Sequence, residues 1–216
     1  MPSPNATSER SGSRRTLVVA SFNRAKVREL VTLLAELPFD VRALYDLPGA
    51  ELPEETETSY RGNALLKARV GMHFSRALTL ADDSGLEVDA LGGAPGVRSA
   101  RFGGPGLDDA GRNARLLEML RDVAIEERTA HYRCVIALVA PDGREDVVEG
   151  AASGVILPAP RGHGGFGYDP LFFYPPLGRT FAEMSETEKA GVSHRGLALS
   201  AARRLLRECY TAEPGR

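Results

Sequence analysis

Tryptophan is absent from the chain, cysteine occurs twice, and aromatic residues fill only 6% of its 216 positions. The two cysteines, Cys134 and Cys209, stand far apart and lack CxxC spacing, which excludes a disulfide framework and a zinc knuckle. Cys134 lies in an apolar run and Cys209 on a helical stripe, so both read as small buried hydrophobes. Four histidines without ligand spacing argue against a zinc hydrolase. No apolar run approaches the length of a membrane span and no signal peptide is visible, so the expectation is a cytoplasmic protein without a membrane partner. The formal net charge is only −2, so no global field draws DNA or RNA to the surface, and any polyanion must be met by a local basic cluster. P-loop, G-x-S-x-G, HExxH and EF-hand patterns are missing, and Asp82-Asp83-Ser84 does not fit the D-x-D of an aspartate phosphatase.

What is present is an ordinary apolar content of 43%, enough for one fairly large core. Residues 1–15, rich in Ser, Pro, Asn and Arg, read as a disordered tail, and 211–216 as a short C-terminal one. Between them, 16–210 reads as a single domain without repeats or linkers. Strands are expected at 16–20, 41–44 and 78–81, and helices at 24–37, 62–76, 108–123 and 193–208. Ala110, Ala114, Leu117 and Leu120 are in register on the third helix, and Leu197, Ala198, Ala201, Ala202, Leu205, Leu206 and Cys209 form the apolar face of the last. Segments 129–140 and 145–156 read as a hairpin turned by Pro141-Asp142-Gly143-Arg144, and 157–176, rich in Gly and Pro, as irregular. This alternation implies an α/β fold with a mixed sheet flanked by helices.

The chemistry centres on Asp82-Asp83, where an apolar strand runs into paired carboxylates. Repulsion and burial make such a pair costly unless a cation or hydrogen-bond donors compensate. Either the pair binds metal, or Asp82 ends the strand and Asp83 caps a turn with Ser84 and Gly85. Neighbouring strand residues face opposite ways, so one aspartate can act from behind the other. Asn23 suits the cap of the first helix, with Arg24 and Lys26 in its first turn. Ser193 suits the cap of the last, with His194 and Arg195 following. Positive charge there opposes the helix dipole, which makes sense if an anion sits over the helix end. The alternative is a set of surface charges. Asn63 and Lys67 share a helix face, and an acidic loop carries Glu54 and Glu55. Carboxylates from two segments suit Mg²⁺, which takes its remaining ligands from water and phosphate. Residues 162–170 contain a literal G-x-G-x-x-G that fails as a dinucleotide fingerprint, because prolines stand where a strand and a helix should be. The better reading is a loop presenting Phe166 and Tyr168 for stacking and Asp169 as an acceptor, unless both aromatics are core.

Six motifs in order give these residues a family likeness: Ser21–Glu29, Glu54-Glu55-Thr56 with Asn63–Arg69, Ala81–Gly85, Gly92–Gly96 with Ser99-Ala100-Arg101, Gly164–Pro170, and Glu188-Lys189 with Ser193–Gly196. Together they resemble the inosine triphosphatase family, over nearly the whole chain from Leu17 to Leu206. The resemblance implies an elongated sheet with a substrate cleft between two lobes. It also implies hydrolysis of ITP, dITP and XTP to monophosphate and pyrophosphate with Mg²⁺, by a homodimer. Asp83 would be proton acceptor and metal ligand, with Glu55 the second ligand. Ser21, Phe22, Asn23, Arg24, Ala25, Lys26, Asn63, Lys67 and Ser84 would serve the phosphates. Phe166, Gly167, Tyr168, Asp169, Lys189, His194 and Arg195 would hold the base. Ser21 stands where the family commonly has Thr, and Tyr60 and Gly62 where it often has Phe and Glu. Maf-type pyrophosphatases and a nucleotide sensor without catalysis are the rival readings.

Overall fold

The computed structural model describes residues 14–211. The N-terminal tail expected at 1–15 and the C-terminal one at 211–216 fall mostly outside the described residues, and Arg15 already opens the first strand. Seven strands form one sheet: β1 (Arg15–Val19), β2 (Phe39–Ala43), β3 (Leu78–Val88), β4 (Thr129–Val139), β5 (Glu145–Ile156), β6 (Phe172–Tyr174) and β7 (Arg179–Thr180), in the order β2-β1-β3-β4-β5-β6-β7. The pairs β1–β2 and β1–β3 are parallel and every other pair antiparallel, so the sheet is mixed and open. β3 and β4 have 11 residues each and β5 has 12. At about 3.3 Å per residue these strands run for roughly 36 Å and make the sheet elongated.

Among the described residues five α-helices flank it: α1 (Arg24–Leu34), α2 (Tyr60–Ser75), α3 (Asp109–Met119), α4 (Glu186–Val192) and α5 (His194–Cys209). Strand alternation sorts the core. Leu78, Leu80, Ile136 and Leu138 pack with Leu30 and Leu34 of α1 and with Ala198, Leu199, Ala202 and Leu206 of α5. Ala81, Val135 and Ala137 pack on the other face with Tyr60, Ala64 and Ala68 of α2. Further along, Leu86 and Val88 enter a cluster with Leu116 and Leu120 of α3 and with Tyr132, Tyr168, Phe172 and Phe181. β3 thus leaves one pair of cores at Ala81 and enters a third core at Leu86. The break between them is Asp82-Asp83-Ser84-Gly85.

Several expectations are corrected. β3 does not turn at Ser84-Gly85; it pairs with β4 without interruption from Thr79↔Val139 to Val88↔Ala130. Gly85 is there for close approach: a Cβ on it would lie 2.2 Å from the Gly96 carbonyl oxygen. On α3 and its C-cap the buried residues are Asn113, Leu116 and Leu120, while Ala110 and Ala114 face solvent. Leu197 of α5 is exposed, and Leu199 takes its place in the core. Short β6 lies within the segment expected to be irregular, and α4, which was not expected, precedes α5. The hairpin β4–β5 stands as read, closed by the Ala140 N–H to Arg144 carbonyl bond of 2.9 Å. Both cysteines are free, Cys134 fully buried. Among the described residues no helix is long and apolar enough to cross a membrane.

Candidate active site

Asp82 and Asp83 point to opposite faces of β3, and each finds its own partners. Asp82 is buried on the side of α1 and α5, with Oδ2 at 3.2 Å from Lys26 Nζ and 3.4 Å from Arg195 Nε. Burial pushes its carboxyl up, but Lys26, Arg195 and Lys67 outweigh that and hold it well below the usual carboxylate range. Its Oδ1 has no hydrogen-bond partner among the described residues. Asp83 faces α2, where Asn63 Nδ2 donates to its Oδ2 at 3.0 Å and Lys67 Nζ stands 3.7 Å from Oδ1. Burial raises the Asp83 carboxyl; Lys67 pulls it down, Glu55 pushes it up, and the net shift is upward. The turn alternative fails, because β3 runs on through both residues and both carboxylates are buried.

The acidic loop closes this side. Lys67 Nζ donates to Glu55 Oε1 at 2.6 Å, Arg101 Nη1 to the Glu55 carbonyl at 3.1 Å, and the Glu57 N–H to Asn63 Oδ1 at 3.0 Å. Glu55 is therefore fixed beside Asp83, whereas Glu54 is exposed. Lys67, although burial works against its charge, keeps a raised pKa because Asp82, Asp83 and Glu55 surround it. Hard oxygen donors from two segments thus already gather one cation. Among the described residues no group of three or more His, Cys, Asp and Glu side chains stands ready for a metal. Two carboxylates are enough to help hold a hard divalent cation only if water and phosphate complete its shell.

On the other side, Asn23 caps α1 as expected, its Oδ1 accepting from the Ala25 and Lys26 N–H groups at 3.0 and 3.1 Å. Ser21 Oγ accepts from the Asn23 N–H at 3.2 Å. Because the cap already engages two of the first-turn donors, Lys26 rather than a ring of free N–H groups provides the positive end. Arg24 leans over the Tyr45 ring at 5.1 Å, and Phe22 is exposed. The start of α5 differs from its sequence reading. Ser193 caps it through the Gly196 N–H at 3.1 Å, but His194 and Arg195 are buried. His194 stacks on Tyr132 with centroids 4.3 Å apart; burial first, then Arg195 and Lys189, lower its pKa well below the ordinary histidine value, so it is neutral. Arg195 bonds Glu29 at 3.1 Å and Ser84 Oγ at 3.0 Å besides Asp82. This helix end is an internal ion-pair junction, not an open anion site.

A cavity of about 90 Å³ lies here, lined by Lys26, Ser84, Phe166, Lys189, His194 and Arg195 among others. Larger hollows exist, one of about 500 Å³ along β2, but none gathers a comparable set of buried polar groups. The Phe166 ring stands 4.9 Å from Lys189 Nζ and 5.2 Å from the Arg195 guanidinium. Asp169 Oδ2 accepts from Lys189 Nζ at 2.6 Å and from the Phe166 N–H at 2.9 Å, so it organises the loop. Tyr168 is buried with its hydroxyl donated to the Ser99 carbonyl at 2.8 Å; it lines the cavity as a fixed wall rather than on a free loop. Gly167 also lines the cavity, and its N–H donates to Asp109 Oδ2 of α3. Asp109 and Asn113 went unread in the sequence, because reading Ala110 and Ala114 as the inward face left their polar neighbours on the solvated one.

Comparison with known proteins gives a consistent set of likenesses. The model of the Ham1 family matches residues 17–205. A dITP/XTP pyrophosphatase of Desulforamulus reducens is 48% identical over 194 residues, covering 90% of this chain and 96% of that protein. Another from Thermus thermophilus is 50% identical over 198 residues, covering 92% and 93%. Among solved structures, a HAM1 protein from Coxiella burnetii aligns with a TM-score of 0.83 at 38% identity, covering 90% of this chain and all of that one.

Proposed function

The chain belongs to the Ham1 family, and from that premise we propose that it is a nucleoside triphosphate pyrophosphohydrolase which converts dITP, XTP and ITP to the monophosphate and pyrophosphate, clearing these bases from the nucleotide pool. The observation that carries this reading is the division at Asp82-Asp83. One face of β3 offers two carboxylates and a lysine, and the other a basic cavity under an aromatic ring.

In this reading the triphosphate lies across β3 between Lys26 and Lys67, with Ser21, Phe22, Asn23, Arg24, Ala25, Asn63 and Ser84 around it. Asp83, whose pKa burial raises, accepts a proton from the water that attacks the α-phosphorus. The bond from that phosphorus to the bridging oxygen breaks and pyrophosphate leaves, while Lys26 and Lys67 offset the charge gathering on its oxygens. Mg²⁺, held by Asp83 and Glu55, would supply further charge compensation on the phosphates. Asp82 supports this machinery by fixing Lys26 and Arg195 and stays ionised throughout.

The base would stack on Phe166, with Gly167, Tyr168, Asp169, Lys189, His194 and Arg195 around it. Hypoxanthine and xanthine carry a 6-oxo group that Arg195 or the neutral His194 can address with an N–H. The adenine amine would set a donor against a donor there, which a desolvated site penalises heavily. The family resemblance extends to a cytoplasmic homodimer acting through residues 16–210 as one unit, and sedimentation of the purified chain checks the dimer.

Initial rates with dITP, XTP, ITP, ATP and GTP in the presence of Mg²⁺, with the products identified, test the proposal. Pyrophosphate should be the first product, and dITP and XTP should exceed ATP by roughly 10²-fold or more in kcat/KM. Orthophosphate as first product, or equal rates on ATP, would overturn it.

A further inference from the structure

The cavity beneath Phe166 is too small as it stands for the ligand assigned to it. At about 90 Å³ it holds about three waters, and pockets that take drug-sized ligands begin near 300 Å³. Room for a purine there depends on where the Phe166 ring stands, and the backbone that carries the ring sets that position. Phe166 itself is tethered through its N–H to Asp169. The next residue, Gly167, has a φ of +65°, which side-chain-bearing residues rarely adopt. Both of its backbone polar groups are held by α3: its N–H donates to Asp109 Oδ2 at 2.7 Å, and Asn113 Nδ2 donates to its carbonyl at 3.0 Å. Asp109 and Asn113 lie four residues apart and so share one face of α3. Asp109 is braced in turn by Arg112 at 2.5 Å. Asn113 is buried, and its Oδ1 has no partner among the described residues, so the bond to Gly167 is the one its side chain makes among them.

We propose that Asp109 and Asn113 are positioning residues for base recognition, gripping Gly167 so that Phe166 moves about a fixed pivot and its ring comes to rest on the purine instead of collapsing onto Lys189 and Arg195. The inference rests on reading the cavity as the base site. It separates base selection from chemistry, because among the described residues the side chains of Asp109 and Asn113 bond to Gly167 and not to Asp83 or Glu55.

The test compares wild type with Asp109→Ala, Asp109→Asn and Asn113→Ala. It measures kcat and KM on dITP and, by calorimetry, binding of dIMP and of pyrophosphate. Each alanine variant should raise KM for dITP and weaken dIMP roughly tenfold, the scale of one hydrogen bond to a charged or buried group. Their kcat should stay within about threefold of wild type, the mark of lost binding rather than lost chemistry, and pyrophosphate affinity should not change. Asp109→Asn keeps an acceptor for the Gly167 N–H and should recover most of the loss, which a merely destabilised helix would not predict. Unchanged KM and dIMP affinity, or pyrophosphate weakened as much as dIMP, would overturn the proposal. The Asp109 side chain is about half exposed, so Asp109→Ala decides the matter if Asn113→Ala fails to fold. A wild type that binds dIMP but releases no pyrophosphate from dITP would sink the proposed reaction and leave the grip standing. An active wild type matched by both alanine variants would do the reverse.

Discussion

Neutralising Asp82 takes a carboxylate away from buried Arg195 and half-buried Lys26, whereas neutralising Asp83 relieves a carboxylate that burial already disfavours. Removing one partner of a buried ion pair typically costs about 3–5 kcal/mol. Asp82→Asn should therefore lower the melting temperature by roughly 10 °C, at about 2–4 °C per kcal/mol for a chain of this size. Asp83→Asn should melt at or above the wild-type temperature while losing roughly 10³-fold in turnover, as expected for a lost general base. Scanning calorimetry beside a pyrophosphate-release assay checks both, and equal melting of Asp82→Asn and wild type would contradict the ion-pair assignment. At this scale the sequence was readable wherever spacing was local. Asn23 as a cap, Asn63 and Lys67 on one face, and the opposed aspartates all follow from helix and strand periodicity. The fates of His194 and Arg195 were not legible, because whether a basic residue at a helix start meets solvent or a buried carboxylate depends on Asp82, more than a hundred positions away.

Helix α4 was hidden in the sequence because it has only seven residues and follows a Gly- and Pro-rich stretch. Its start carries a capping box, with Ser185 Oγ accepting from the Glu188 N–H and Glu188 reaching back to the Ser185 N–H. Arg179 first, then the Ser185 N–H, draws the Glu188 carboxyl down to about 2 from an ordinary value of 4.5. A depressed folded-state pKa contributes stability that is present above 4.5 and lost as pH falls toward 2. Carboxyl NMR should show Glu188 titrating near 2, with Arg179→Ala returning it toward 4.5. Because α4 delivers Lys189 to Asp169, the cavity should loosen over the same acid window, visible as weakened dIMP binding. The reading of Ser84-Gly85 as a turn failed for a related reason. Glycine marks either a bend or a tight approach, and only the Gly96 carbonyl packed against it tells them apart.

Across the molecule, the α/β class, the mixed sheet and the long hairpin were legible in the strand and helix patterns, whereas the layering of separate cores along β3 was not. Each core is read in sequence as the same apolar signal, and only the fold assigns Leu80 to one and Leu86 to another. A nucleotide bound as proposed would touch residues from separate cores, so ligand should stabilise the chain as a whole. At a hundredfold excess over Kd, dIMP should add about 2.7 kcal/mol and raise the melting temperature by roughly 5–10 °C, as a single cooperative transition by calorimetry. Two transitions, only one of them shifted, would argue that the cores unfold independently. The alternation of one strand has a last consequence, for redesign. In the proposed reading Asp83 and its neighbours would govern how the phosphate chain is cut, and the residues around Phe166 which base is admitted, on opposite sides of one strand. Libraries confined to the wall around Phe166 and Tyr168 should therefore move substrate preference while leaving turnover on the preferred base near its original value. The enzyme could be taught a new damaged nucleotide without being taught hydrolysis again.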